Sequence, residues 1–165
     1  MADLRIEFQG AAQLQAALAR APEVVNEELQ RFMAEATMHL RTEVIDRTPA
    51  AAGTLRASIS TDWQSTVGGM LGVVGTPQPY AIPVELGTRP HMPPVQPIQD
   101  WVRQKLGLSG KEGRSVAFAI ARKISKVGTK GHFMFRDAFN DNAEEVQRQF
   151  DQTVSRIVAR IGGPA

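Results

Sequence analysis

Two stretches of this chain, Pro22 to Asp46 and Met134 to Ile161, keep apolar residues at steps of three and four over many turns, and this pattern constrains the fold most. In the first, Val25, Leu29, Phe32, Ala36, Leu40 and Val44 form one stripe, while Glu27, Glu28, Arg31, Glu35 and Arg41 lie largely off it. In the second, Phe139, Ala143, Val146, Phe150, Val154, Ile157 and Ile161 repeat the spacing, and Gly162-Gly163-Pro164 stops the helix. Pro49 biases Thr48 away from helical geometry and ends the first helix near Arg47. Pro22 suits a first turn, which separates this helix from a short Ala-rich one over Ala11 to Ala19. A helix with one apolar face needs a neighbour to cover it, so both stripes demand tertiary partners.

Between and before these helices the period changes to two. Leu4-Arg5-Ile6-Glu7-Phe8 alternates apolar with charged residues and stops at Gly10, which predicts a short opening strand. Leu55, Ala57, Ile59, Thr61 and Trp63 alternate with polar residues and predict a second strand. Gly68-Gly69 marks a turn, and Met70 to Gly75 reads as the returning strand of a hairpin. Tyr80 to Gly87 passes next to or into that sheet, with Pro83 confining it to an edge or a short helical turn. After a Pro-rich stretch, helices are predicted over Ile98 to Leu106 and Gly113 to Lys126. The expected class is α+β: two long amphipathic helices packed on a small antiparallel β-sheet, with a helical insertion, all in one domain over residues 1–165.

Composition narrows the chemistry. The chain has no cysteine, which excludes disulfides, zinc-thiolate and iron-sulfur sites and a thiol nucleophile. Its first residues lack the order of a signal peptide, and no apolar run approaches a membrane span of about 18 residues, so a soluble product made in the cytoplasm is expected. The net charge is only +2, but residues 101 to 136 hold nine Lys and Arg against one acidic residue, a local +8. The rest of the chain is weakly acidic.

Three ordered blocks resemble a known family. Arg47-Thr48-Pro49-Ala50-Ala51-Ala52-Gly53-Thr54-Leu55-Arg56-Ala57-Ser58-Ile59 is similar to its signature of a proline, a few residues, then Thr/Ala-Gly-x-Leu-Arg-x-Ser-Ile after a long helix. Tyr80-Ala81-Ile82-Pro83-Val84-Glu85-Leu86-Gly87-Thr88 is similar to Tyr-Ala-x-x-Val-Glu-Phe-Gly-Thr, and Phe133-Met134-Phe135-Arg136-Asp137-Ala138-Phe139 to Pro-Phe-Leu-Arg-Pro-Ala-Phe. The family is that of the neck and tail-completion proteins, minor tail components of long-tailed, siphovirus-type bacteriophages. An Asp usual before Thr-Gly is absent at Ala50 to Ala52, and Phe133 stands where the family has a proline. Residues 92–130 read as a basic insertion between the second and third blocks. The resemblance covers nearly all the rest of the chain.

What the resemblance implies is a structural virion protein at the head-tail junction, with no reaction and no cofactor. Identical copies are expected to form a ring that leaves a channel for the genome. Its partners would be head-completion or connector proteins on one side and tail-terminator or tail-tube proteins on the other.

Several residues have a structural and a functional reading. Gly53 and Gly87 suit sharp backbone turns. Arg56 and Glu85 carry opposite charges on neighbouring blocks and are expected to pair across the sheet or to reach an adjacent subunit. Tyr80 fits an interface anchor as well as it fits the core. Arg89 and His91 fall in the segment expected to contact a neighbour. His39, His91 and His132 lack the spacing and the adjacent carboxylate of a metal or acid-base site. The cluster Arg122, Lys123, Lys126 and Lys130 fits DNA, an acidic neighbouring ring or an ordinary solvated helix face. The rival reading is a DNA-binding accessory protein that uses the basic 101–136 segment.

Overall fold

A computed structural model describes residues 11–49, 53–66 and 69–162, with side chains described from residue 15 onward. In chain order the elements are α1 (Ala11–Arg47), α2 (Gly53–Ser58), β1 (Ser60–Thr66), β2 (Gly69–Gly75), α3 (Ala81–Leu86), β3 (Gly87–Thr88), α4 (Val95–Leu106), α5 (Gly110–Val127), β4 (Thr129–Lys130) and α6 (Met134–Gly162). The opening strand expected at Leu4 to Phe8 and the turn residue Gly68 lie outside the described residues. The chain divides into two compact units: Met1–Asp46, Ile59–Gly75 and Ala138–Ala165 in one; Arg47–Ser58 and Thr76–Asp137 in the other.

In the first unit α1 and α6 run antiparallel. Glu28 meets Arg156 and Arg160, Phe32 meets Phe150, and His39 meets Asn142, so partners on α6 fall in number as those on α1 rise. Phe32 and Phe150 pack edge to face at 5.5 Å between ring centroids. His39 Nε2 donates to Asn142 Oδ1 at 2.8 Å. The apolar stripe of α1 is where the core lies: Phe32, Ala36, Leu40 and Val44 are all buried.

Hairpin β1–β2 pairs antiparallel, with Trp63 opposite Gly72 and Thr66 opposite Gly69. Its inner face lies on α1 at Gly72, where a Cβ would stand 2.5 Å from Met33 Cε and 2.7 Å from Thr37 Cγ2. A side chain there would have to displace the end of Met33 and the Thr37 methyl, so glycine suits this close approach. Arg41 Nε donates to the carbonyl of Ile59 at 2.8 Å and ties the start of β1 to the same helix.

In the second unit α4 and α5 pack together through small residues of α5: Gly113, Ala117 and Ala121 are buried. A Cβ on Gly113 would meet the Leu108 carbonyl oxygen at 2.7 Å. This pair occupies the stretch read as a helical insertion. β3 pairs with β4 in a second, two-residue ladder.

The structure corrects three expectations. Residues 55–58 belong to helix α2, and the strand begins only at Ser60. Leu55 and Ile59 are the buried pair, four residues apart, whereas Ala57 is exposed. Spacing of four is helical, and the polar residues between satisfied either period. Pro22 lies inside α1, so one helix runs from Ala11 and no break precedes it. Tyr80 to Gly87 takes the helical alternative as α3, and its following strand pairs with β4 and not with the hairpin.

Candidate functional site: a joint of two sequence blocks and an apolar groove

The second and third blocks meet through one carboxylate. Glu85 Oε2 accepts a hydrogen bond from the Phe135 N–H and Glu85 Oε1 from the Arg136 N–H, each at 3.0 Å. These are first-turn amides of α6, which have no partner inside the helix, and a negative charge there also opposes the helix's positive end. The backbone repeats the link, since the Phe133 N–H donates to the Glu85 carbonyl at 3.0 Å and the His132 N–H to the Val84 carbonyl at 2.9 Å.

Glycine makes this approach feasible. Gly87 has φ of 78°, and a Cβ on it would collide with the Thr129 carbonyl oxygen and stand 2.7 Å from the Gly131 nitrogen. Gly131 in turn leaves only 2.5 Å between its would-be Cβ and the Glu85 carbonyl oxygen. Phe133 adopts a left-handed φ of 50° where the family has proline, and Arg136 stacks its guanidinium 3.7 Å from the Phe133 ring centroid. Thr48, buried just past α1, donates to Met134 Sδ at 3.2 Å and so joins the first block to the third.

Beside this joint lies an open groove of about 680 Å³. Four parts of the second unit contribute: Pro49, Gly53 and Thr54; Tyr80, Pro83 and Val84; Pro93, Pro94, Pro97 and Ile98; and Ile124, Thr129, Lys130 and His132. His91 also lines it and donates from Nδ1 to the Arg89 carbonyl at 3.0 Å. Prolines and aliphatic side chains dominate the surface, with two imidazoles, a phenol, an ammonium and the hydroxyls of Thr54, Thr88 and Thr129 as its polar points.

Of the residues singled out from the sequence, Gly53, Tyr80, His91 and Lys130 thus share one groove. Arg56 and Glu85 do not pair: Arg56 makes no ion pair among the described residues, and Glu85 spends both oxygens on α6. Gly53 opens α2 with no atom within 4 Å of an added Cβ, so space does not require glycine there. Arg89 is exposed. Arg122, Lys123 and Lys126 lie exposed along α5, and Lys130 on β4, none in an ion pair among the described residues.

Sequence reasoning missed the role of Glu85 as a cap for α6, because its partners lie 50 and 51 residues away. It also missed the ionic cluster at Glu28. That carboxylate is 2% exposed and accepts from Arg160 Nη1 at 2.7 Å and Arg156 Nε at 3.1 Å, with Arg31 3.7 Å away. The Arg160 and Arg156 hydrogen bonds hold the Glu28 carboxyl below its usual range against the opposing effect of burial, and Glu28 and Glu27 raise Arg160. Glutamate on the flank of an apolar stripe was the only signal available.

Residues 12–87 match the family described as "Bacteriophage HK97-gp10, putative tail-component". Over that span the chain is similar to HK97-gp10-like proteins. The match takes in α1, the hairpin and the second block, and ends before the insertion and the third block. That description points to a structural role in a phage tail. Comparison with the curated proteins and with the solved structures found no match. No helix among the described residues is long and apolar enough to cross a membrane.

Proposed function

We propose that this protein is a phage tail component that works at the head-tail junction, where identical copies close a ring that completes the neck or the tail and leaves a channel for DNA. Residues 1–165 act in this reading as one neck or tail-completion domain, with 92–130 inserted. The observation that supports it best is the hairpin. Its outer face carries Leu71 and Val73, 48% and 49% exposed, and among the described residues β1 and β2 pair only with each other. A two-stranded ribbon with apolar groups facing water and unpaired edges is a surface built for a neighbour.

The proline-lined groove gives a second contact surface, with Tyr80 and His91 at hand and Arg56 and Arg89 on the same unit. Neighbouring connector, tail-terminator or tail-tube proteins are its partners in this reading. A ring around a DNA path needs no catalytic group, and the roles assigned here are all binding roles.

Electron microscopy of particles made with and without the protein tests this. Separate filled heads and tails, or tails of normal length that fail to join, are the expected result of its loss. Intact joined particles would sink the reading and turn attention to the basic 101–136 segment as a DNA-binding surface, tested by salt-dependent affinity for duplex DNA.

A further inference from the structure

Charge is segregated between the two units. The sequence of the first holds seven Lys and Arg against thirteen Asp and Glu, a net −6; that of the second holds twelve against four, a net +8. On α5 the positive side is organised. Lys111, Arg114, Phe118, Arg122 and Lys126 follow one another at steps of three and four, all exposed, with Phe118 53% exposed in their midst. They run beside the buried face of Gly113, Ala117 and Ala121, with Arg114 at its border and Arg122 and Lys126 turned furthest from it, and none of the four cations has an ion-pair partner among the described residues.

On the first unit, α1 carries a matching stripe. Glu35, Met38, Thr42 and Asp46 are exposed at steps of three and four, Met38 is 54% exposed, and neither acid is ion-paired among the described residues. At about 1.5 Å per residue, Glu35 and Asp46 stand about 16 Å apart and Arg114 and Lys126 about 18 Å apart. Each stripe has like charges at its ends and one exposed apolar side chain between them, a thioether on one and a phenyl ring on the other. Such pairs attract both by charge and by sulfur-aromatic contact.

We infer that the α5 stripe of one copy docks on the Glu35–Asp46 stripe of α1 in a second copy. This deepens the ring proposal and rests on it: two different surfaces of the same chain meet head to tail, the arrangement that closes a ring when the rotation fits. Opposite charge steers the encounter and fixes the register, while Phe118 and Met38 exclude water from its centre.

The test is a charge exchange in the full chain. Arg114→Glu with Lys126→Glu puts carboxylates at the matching ends of both stripes and cancels the net positive charge of α5; Glu35→Lys with Asp46→Lys puts ammonium groups at the ends of both. All four positions are exposed, and unchanged circular dichroism confirms that each variant folds. In sedimentation velocity at low salt, each variant alone is expected to self-associate at least about tenfold more weakly than the parent chain, and a mixture of the two to recover within about threefold. Raising salt to about 0.5 M should weaken the parent and the mixture alike.

A mixture that associates no better than its components, even at about millimolar concentration, overturns the inference. Loss of duplex-DNA binding by the Arg114→Glu/Lys126→Glu chain without recovery in the mixture also overturns it, and assigns the stripe to nucleic acid. The particle experiment is independent of this one. Unjoined particles with a silent charge exchange would leave the ring standing and remove only this interface.

Discussion

Replacing Glu85 by alanine removes both acceptors from the start of α6 and leaves the Phe135 and Arg136 amides without a protein partner at the joint of two sequence blocks. Loss of a helix cap costs about 0.5–2 kcal/mol, and loss of the charge at a helix N-terminus adds about 0.3–1 kcal/mol. One of the two bonds is part-buried and the other exposed, which places the total near about 2 kcal/mol, or about thirtyfold in the folding equilibrium. Glu85→Gln keeps one oxygen for one amide, loses the charge and turns an amide N–H₂ toward the other, so about 1 kcal/mol is expected. Urea unfolding followed by circular dichroism measures both, and a protein of this size should lose about 2–4 °C in thermal midpoint per kcal/mol. Arg56→Ala is the control and should stay within about 0.5 kcal/mol of the parent. If Glu85→Ala costs less than that, the cap argument is wrong; if Arg56→Ala costs as much as Glu85→Ala, the two residues act as a pair and not as cap and bystander.

Gly87→Ala should cost about 3 kcal/mol in the same assay, because φ of 78° with ψ of −175° is a region essentially reserved for glycine and the new Cβ meets the Thr129 carbonyl; a loss under about 1 kcal/mol would refute the geometry of the β3–β4 ladder. Leu55→Ala empties a fully buried site and should cost about 2–5 kcal/mol, read as a lower urea midpoint with an unchanged slope. Glu28 has a folded pKa below its unfolded one, so its stabilisation is complete above the unfolded carboxylate range, near about pH 4.3, and fades as pH falls through the folded value. Thermal midpoints taken from pH 7 to pH 2 should therefore fall less steeply in Glu28→Gln than in the parent, and parallel curves would refute the assignment.

By itself the sequence determined the long helices, the hairpin and the basic helical pair, because each is a local pattern that repeats over enough residues to be unambiguous. Val25 to Val44 and Phe139 to Ile161 sustain one period for many turns, and Met70 to Gly75 follows its turn directly. The three family blocks were legible for the same reason, as runs of neighbouring residues. Short stretches were not: Leu55 to Ile59 satisfies a period of two and a spacing of four equally well, and only the burial of Leu55 and Ile59 in the folded chain chose the helix. Pro22 looked like a helix start because proline prefers a first turn, yet α1 passes through it. What the tertiary structure alone decided is which distant residues meet. Glu85 capping α6, Glu28 among arginines of α6, and a groove assembled from four separated parts of the second unit all depend on contacts that no local spacing encodes.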